Sequence, residues 1–165
     1  MRGLAKAVAV VMFAAAGLAA CDRPSDAAPS ASYDTSAASN AKFLADYAAR
    51  TDAKKTASGL MYRVIKAGTG PAVIRDSDVV TVYYKGMLIN GKVFDQTKPE
   101  EAATFMTGGL TPGWVEALKL MKTGDTWEIV VPSELGYGAD GAGDAIPPDQ
   151  TLIFTMSLVK VEYAN

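Results

Sequence analysis

The sequence predicts an α+β domain in which an antiparallel, twisted β-sheet wraps around one short α-helix, preceded by a signal peptide, a flexible linker and a short N-terminal helix. Three observations predict it. Apolar residues alternate with polar ones in several runs between residues 60 and 162, and alternation sends one set of side chains to each face of a sheet. The pair Asn90-Gly91 between two such runs is a strong hairpin signal, so those strands are antiparallel neighbours. One segment, opening at Thr111-Pro112, has helical spacing instead. A single helix covering an antiparallel sheet is the simple way to bury both apolar faces.

The elements follow in chain order. Arg2 and Lys6 give residues 1–20 a positive start, and Ala7 to Ala20 is uncharged and apolar. This is the pattern of a signal peptide, with an apolar stretch too short for a comfortable membrane span. It ends Leu18-Ala19-Ala20-Cys21, which resembles the bacterial lipobox, in which the cysteine is lipidated and becomes the new N-terminus. An ordinary signal-peptidase site with an incidental Cys21 is the alternative; the sole cysteine stands where the lipid motif needs it. The resemblance implies an exported protein on the periplasmic side, held by its lipid to the inner or outer membrane. Residues 21–38 are dominated by Ala, Ser, Asp and Pro and are expected to be a linker.

Residues 39–57 are expected to form a short helix and a connector. Phe43, Leu44, Tyr47 and Ala48 recur at helical spacing over 39–50, with Ser39 or Asn40 as cap. A helix this short is marginal alone. It is expected to dock on its own domain or on a second copy, giving a monomer or a weak dimer through this helix.

The main domain is expected over 58–163. Leu60 to Lys66 is its first strand. Asp78 to Ile89 is the second, with Val80, Val82, Tyr84 and Leu88 on one face. Lys92 to Asp95 runs back after the hairpin, and Thr104 to Thr107 is a short strand. Thr111 is the expected helix cap, Pro112 suits the first helical position, and Gly124 is the expected stop. Trp114, Leu118 and Met121 share the helix's apolar face. Thr126 to Val131 and Thr151 to Glu162 are the last strands. The long Gly- and Pro-rich loop between them, 132–150, is of the kind that carries function.

Composition narrows the chemistry. The chain has 16 basic and 18 acidic residues, a net charge of −2, and no basic stripe of the kind that binds nucleic acid. It has no histidine and one cysteine. Nucleophile–histidine pairs, thiolate zinc sites and an intramolecular disulfide are therefore excluded. No cofactor or metal is implied. Any chemistry must work without a nucleophile–base pair of the usual kinds, or must not be covalent.

Several motifs then agree. Val82-Tyr83-Tyr84-Lys85-Gly86-Met87-Leu88 followed by Asn90-Gly91-Lys92-Val93-Phe94-Asp95 resembles the FKBP strand pair. Pro112-Gly113-Trp114 resembles the start of that family's single helix. Glu134-Leu135-Gly136-Tyr137-Gly138, Ile146-Pro147-Pro148 and Thr151-Leu152-Ile153-Phe154 resemble its active-site loop and last strand. Thr56-Ala57-Ser58-Gly59-Leu60-Met61-Tyr62 resembles the lead-in of bacterial periplasmic members. The order and spacing match across 58–163.

The resemblance implies a peptidyl-prolyl cis/trans isomerase that assists the folding of exported proteins. On matching positions it implies that Trp114 floors a pocket for the substrate proline. Tyr84, Phe94, Leu110, Ile146 and Phe154 line it. The Thr111 N–H and the Tyr137 hydroxyl bond substrate carbonyls, and Asp95 sits at the rim. The implied partners are proline-containing polypeptides, a macrolide of the tacrolimus or rapamycin type, and the membrane through the lipid on Cys21. Ala103 stands where many members have a second phenylalanine, Ala142 and Ala145 are small, and Thr111 replaces a β-branched apolar residue. A holdase chaperone using the same pocket is the rival from another class; a purely structural envelope lipoprotein is a third.

Overall fold

A computed structural model describes residues 33–164; the signal-peptide and Cys21 expectations lie outside the described residues. The order of elements is α1 (Ala37–Ala48), β1 (Lys54–Lys55), β2 (Met61–Lys66), β3 (Val79–Leu88), β4 (Val93–Gln96), β5 (Ala103–Met106), α2 (Pro112–Leu120), β6 (Thr126–Val131) and β7 (Leu152–Glu162). Every strand pairing is antiparallel. The sheet runs β1-β2-β6-β7-β3-β4, with β5 also on β3.

Strand β3 organises the site. On one side it pairs with β7 along its whole length. On the other it is shared: β5 pairs with Val79 to Val82 and β4 with Lys85 to Met87. Tyr84 falls in the gap between those two ladders. There Thr97 takes over, its hydroxyl accepting from the Tyr84 N–H at 3.1 Å and its own N–H donating to the Tyr84 carbonyl at 3.0 Å.

Alternation gives the sheet two apolar faces. Val80, Val82, Leu88, Ile129, Val131, Leu152, Phe154, Met156 and Leu158 point to the face covered by α2, with Trp114, Ala117 and Leu118 packed onto them. Met61, Met87, Ile89, Val130 and Ile153 point to the opposite face and meet Phe43 and Tyr47 of α1. The N-terminal helix therefore docks on its own domain. Its polar contacts reinforce this: the Tyr47 hydroxyl donates to Glu128 at 3.1 Å, and Arg63 pairs with the same carboxylate at 2.8 Å.

Four local expectations are corrected. Helix α1 begins at Ala37, capped by Ser36, whose hydroxyl accepts from the Ser39 N–H; Asn40 lies buried inside it and Ala48 is exposed. The Thr111 side chain makes no capping bond although Thr111 occupies the cap position of α2. That helix ends at Leu120, and Gly124 belongs to the turn into β6. The hairpin also differs. Gly91 (φ 84°) has positive φ but Asn90 does not. The Gly91 N–H donates to the Leu88 carbonyl and the Leu88 N–H to the Lys92 carbonyl, both at 2.9 Å. Ile89 and Asn90 are thus the central turn residues, and Gly91 supplies the left-handed third position of a three-residue loop. The two-residue strand β1 was too short to leave an alternation signal.

Candidate functional site

A cavity of about 270 Å³ opens between the sheet, the start of α2 and the 132–150 loop. Its lining is Tyr84, Phe94, Asp95, Phe105, Gly109, Leu110, Thr111, Trp114, Tyr137 and Phe154. The volume lies just below the range of about 300–1,000 Å³ usual for ligand pockets. It suits one side chain of a larger ligand.

The shape comes from rigid rings set edge to face. Trp114, 5% exposed, meets Tyr84 and Phe154 at centroid distances of 5.1 Å each, with interplanar angles of 84° and 90°. Phe94 meets Phe154 at 5.6 Å and 88°. Phe105 meets Trp114 at 6.1 Å and 87°. Edge-to-face pairs are favourable for aromatic quadrupoles, and rings locked this way cannot fold inward to fill the space they surround. Gly86 makes the arrangement possible. A β-carbon there would stand 2.7 Å from the Phe94 ring and 2.8 Å from the Phe154 ring.

Polar groups stand at the mouth. The Tyr84 hydroxyl donates to Asp95 at 2.6 Å. Burial, then the hydrogen bond and negative charge of Asp95, push the Tyr84 hydroxyl above the ordinary tyrosine value. It therefore stays a donor, and the ring is fixed against Trp114. The Thr111 N–H makes no hydrogen bond among the described residues. It belongs to the first turn of α2, where N–H groups lack intrahelical partners and a carbonyl oxygen is welcome. Tyr137, 42% exposed, is at the rim.

Of the residues singled out in the sequence, Tyr84, Phe94, Asp95, Leu110, Thr111, Trp114, Tyr137 and Phe154 are brought together around this cavity. Ile146 is not in its lining; it is 4% exposed and packed in the core cluster that holds Trp114. Phe105 and Gly109 line the cavity without having been singled out. Phe105 had a signal: it stands two residues after Ala103 on the same strand, hence on the same face. Gly109 offers only backbone, for which sequence gives no cue.

Comparison with known proteins agrees with this geometry. Residues 70–159 match the profile described as FKBP-type peptidyl-prolyl cis-trans isomerase, and residues 11–64 match the domain amino terminal to such isomerases. The FKBP-type 22 kDa peptidyl-prolyl cis-trans isomerase of Escherichia coli is 43% identical over 130 residues, covering 78% of this chain and 63% of that protein. The outer membrane protein MIP of Legionella longbeachae is 51% identical over 108 residues, covering 65% of this chain and 46% of that one. The chain thus spans less than two thirds of the length of these curated relatives. A peptidyl-prolyl cis-trans isomerase from Pseudomonas syringae pv. tomato superposes with a TM-score of 0.72 at 36% identity, covering 76% of this chain and 92% of that one. FkpA from Escherichia coli gives 0.73 at 40% identity, covering 78% and 60%.

Proposed function

Given that this chain belongs to the FKBP-type peptidyl-prolyl cis-trans isomerase family, we propose that it accelerates rotation about X–Pro bonds in exported polypeptides. The observation that carries the proposal is the ring-walled hollow floored by Trp114 with the unpartnered Thr111 N–H at its mouth.

Amide resonance sets a rotational barrier of about 18–20 kcal/mol. A planar amide is polar because resonance separates charge across it. Twisting breaks the conjugation, so the transition state is less polar than either planar isomer. Water favours the planar forms, whereas a dry hollow withdraws that preference and lowers the barrier. The proline ring would rest on Trp114 between Phe94, Tyr84 and Phe154. The Thr111 N–H and the Tyr137 hydroxyl would hold flanking carbonyls and so fix one side of the bond while the other turns. Asp95 acts through Tyr84, holding that wall in place. No bond to carbon is broken and no general base is needed, which accords with a sequence without histidine.

The test is cis-to-trans conversion in a proline tetrapeptide, with and without a macrolide of the tacrolimus or rapamycin type. Acceleration by the purified protein, suppression by the macrolide, and strong loss in Asp95→Ala and Phe94→Ala variants that stay folded are expected. Full activity in both variants would sink the site assignment. Suppression of aggregation without any isomerisation would instead favour a holdase.

Export and anchoring belong to the same proposal. The leader over 1–20 and the lipobox-like Leu18 to Cys21 support a lipid-anchored periplasmic location. One relative bears the name of an outer membrane protein. Among the described residues no helix is long and apolar enough to cross a membrane. Cys21→Ser is expected to move the protein from the membrane to the soluble fraction of fractionated cells; unchanged partitioning would refute the anchor.

A further inference from the structure

Helix α1 lies across the sheet from the cavity, yet one of its side chains reaches the loop that borders it. Asn40 is 6% exposed. An asparagine inside a helix is unfavourable by propensity, and a buried helix face normally takes apolar residues. Its amide is fully engaged. The NH₂ donates to the Ser36 carbonyl at 2.9 Å and to the Gln150 side-chain oxygen at 3.3 Å; the oxygen accepts from the Thr151 N–H at 2.8 Å. Gln150, 5% exposed, donates in turn to the Thr35 carbonyl at 3.1 Å and the Pro148 carbonyl at 2.9 Å. Two buried amides thus stitch residues 35–40 to residues 148–151.

That attachment point matters because of where the strand ladders stop. β6 ends at Val131 opposite Leu152, so Thr151 lies just beyond the last paired residue. Without Asn40 its N–H would be buried and unpaired. Two residues before Thr151 is Asp149, held at φ 56°, a conformation uncommon for a residue other than glycine. The Asp149 N–H donates to the Gly138 carbonyl at 2.9 Å, one residue from Tyr137. Ala142 and Ile146 exchange hydrogen bonds at 2.8 and 3.2 Å. The loop that carries the Tyr137 rim is therefore anchored at its far end by α1.

We propose that Asn40 is a positioning residue: it acts through Thr151 and Gln150 to hold the 137–151 loop against the cavity. The role rests on the isomerase reading for its catalytic consequence but not for its structural one. In Asn40→Leu an apolar residue of similar size takes the place of the amide, while Thr151 and Gln150 lose their partner. Exchange of the Asp149, Ile146 and Ala142 amides is expected to quicken about tenfold, with β3 and β7 amides unchanged. kcat/KM for the tetrapeptide is expected to fall about fivefold, mainly through KM. Asn40→Asp keeps the acceptor for the Thr151 N–H but sets a buried carboxylate against the Ser36 carbonyl and the Gln150 oxygen, so it is expected to quicken loop exchange as well. Tyr47→Phe loosens α1 elsewhere and should leave the loop amides at wild-type rates. If Asn40→Leu fails to fold, Gln150→Ala gives the same reading at the loop end. Unchanged loop exchange in the Asn40 and Gln150 variants overturns the proposal. So does equal loosening by Tyr47→Phe, or a loosened loop with unaltered kcat/KM in an active protein. A wild type without isomerase activity would defeat the isomerase reading, and the exchange rates would still decide whether the clamp exists.

Discussion

The two faces of the sheet are built from similar material and end differently. Each is covered by one helix, yet the hollow on the α2 face is walled by aromatic rings, whereas the one of about 300 Å³ beside α1 is lined by Leu44, Ala45, Ala48, Met61 and Pro132 with no aromatic ring in its lining. On the α1 face, Phe43 meets Tyr33 edge to face at 5.2 Å and lies tilted by 33° to Tyr47 at 6.1 Å, and Met61 and Met87 pack around them. Methionine has three rotatable bonds and takes up irregular space. The lining of the α2-face hollow contains no methionine. There five rings form one connected set: four of the contacts are edge to face, at 84°, 88°, 87° and 90°, and Tyr84 is tilted by 53° to Phe105, with Phe94 and Phe154 closed down on Gly86. A connected set of rigid rings holds the shape of the space it surrounds, whereas flexible side chains line the other hollow. The two tryptophans of the α2-face cluster differ from each other: Trp114 stands edge-on beside the hollow, whereas Trp127 stacks flat on Tyr62 at 4.3 Å and 6°.

The sharpest way to break this comparison is to truncate one ring on each face. Trp114→Ala is expected to cost about 3–5 kcal/mol of stability in urea melts, and to lower kcat/KM by about 100-fold or more through loss of the floor. Phe43→Ala is expected to cost about 3 kcal/mol but to leave kcat/KM per folded molecule within about twofold. Equal catalytic losses would mean that the faces are not functionally distinct.

A smaller probe adds one methyl group. Gly86→Ala drives a β-carbon into Phe94 and Phe154. Overpacking of this kind costs about 1–3 kcal/mol. Phe94 is the more exposed ring and is expected to yield, raising KM by about tenfold. On the other face Met87→Leu conserves volume; it should cost less than about 1.5 kcal/mol and leave KM as it was. Smaller again is Tyr84→Phe, which keeps the ring but frees Asp95. A loss of about 1 kcal/mol and of about threefold to tenfold in kcat/KM is expected; wild-type kinetics would show that Asp95 does not act through this hydroxyl.

The smallest expected effect is one of pH, on the α1 face. Burial, with the Glu128 carboxylate beside it, pushes the Tyr47 hydroxyl well above the ordinary value of 10.0. The folded state thus holds that proton more tightly than the unfolded chain. The resulting stability is complete below about pH 10 and drains away as pH rises further. Denaturant midpoints should fall more steeply above pH 10 in the wild type than in Tyr47→Phe; identical slopes would refute it.

Periodicity located the strands and α2 because each buries one face against a neighbour, and alternation records that directly. Pro112 marked the start of α2 because its missing N–H costs nothing there. The errors fell where local signals compete with tertiary ones. Asn90-Gly91 suggested a two-residue turn, but the strand register shift at Gly86 and Met87 moves the loop by one residue. Asn40 looked like a cap because asparagine usually serves as one, whereas its partner is 111 residues away.

By itself the sequence determined which residues face which side of the sheet, that one helix packs within it, and which chemistry is missing, since these depend on the order of side chains along the chain. Only the tertiary structure decided that the rings enclose a space instead of filling it. It also decided that Phe105 joins them, that Ile146 stays behind them, and that a helix on the far face holds the loop. Those outcomes depend on distances and angles between segments far apart in the chain, which no local pattern encodes.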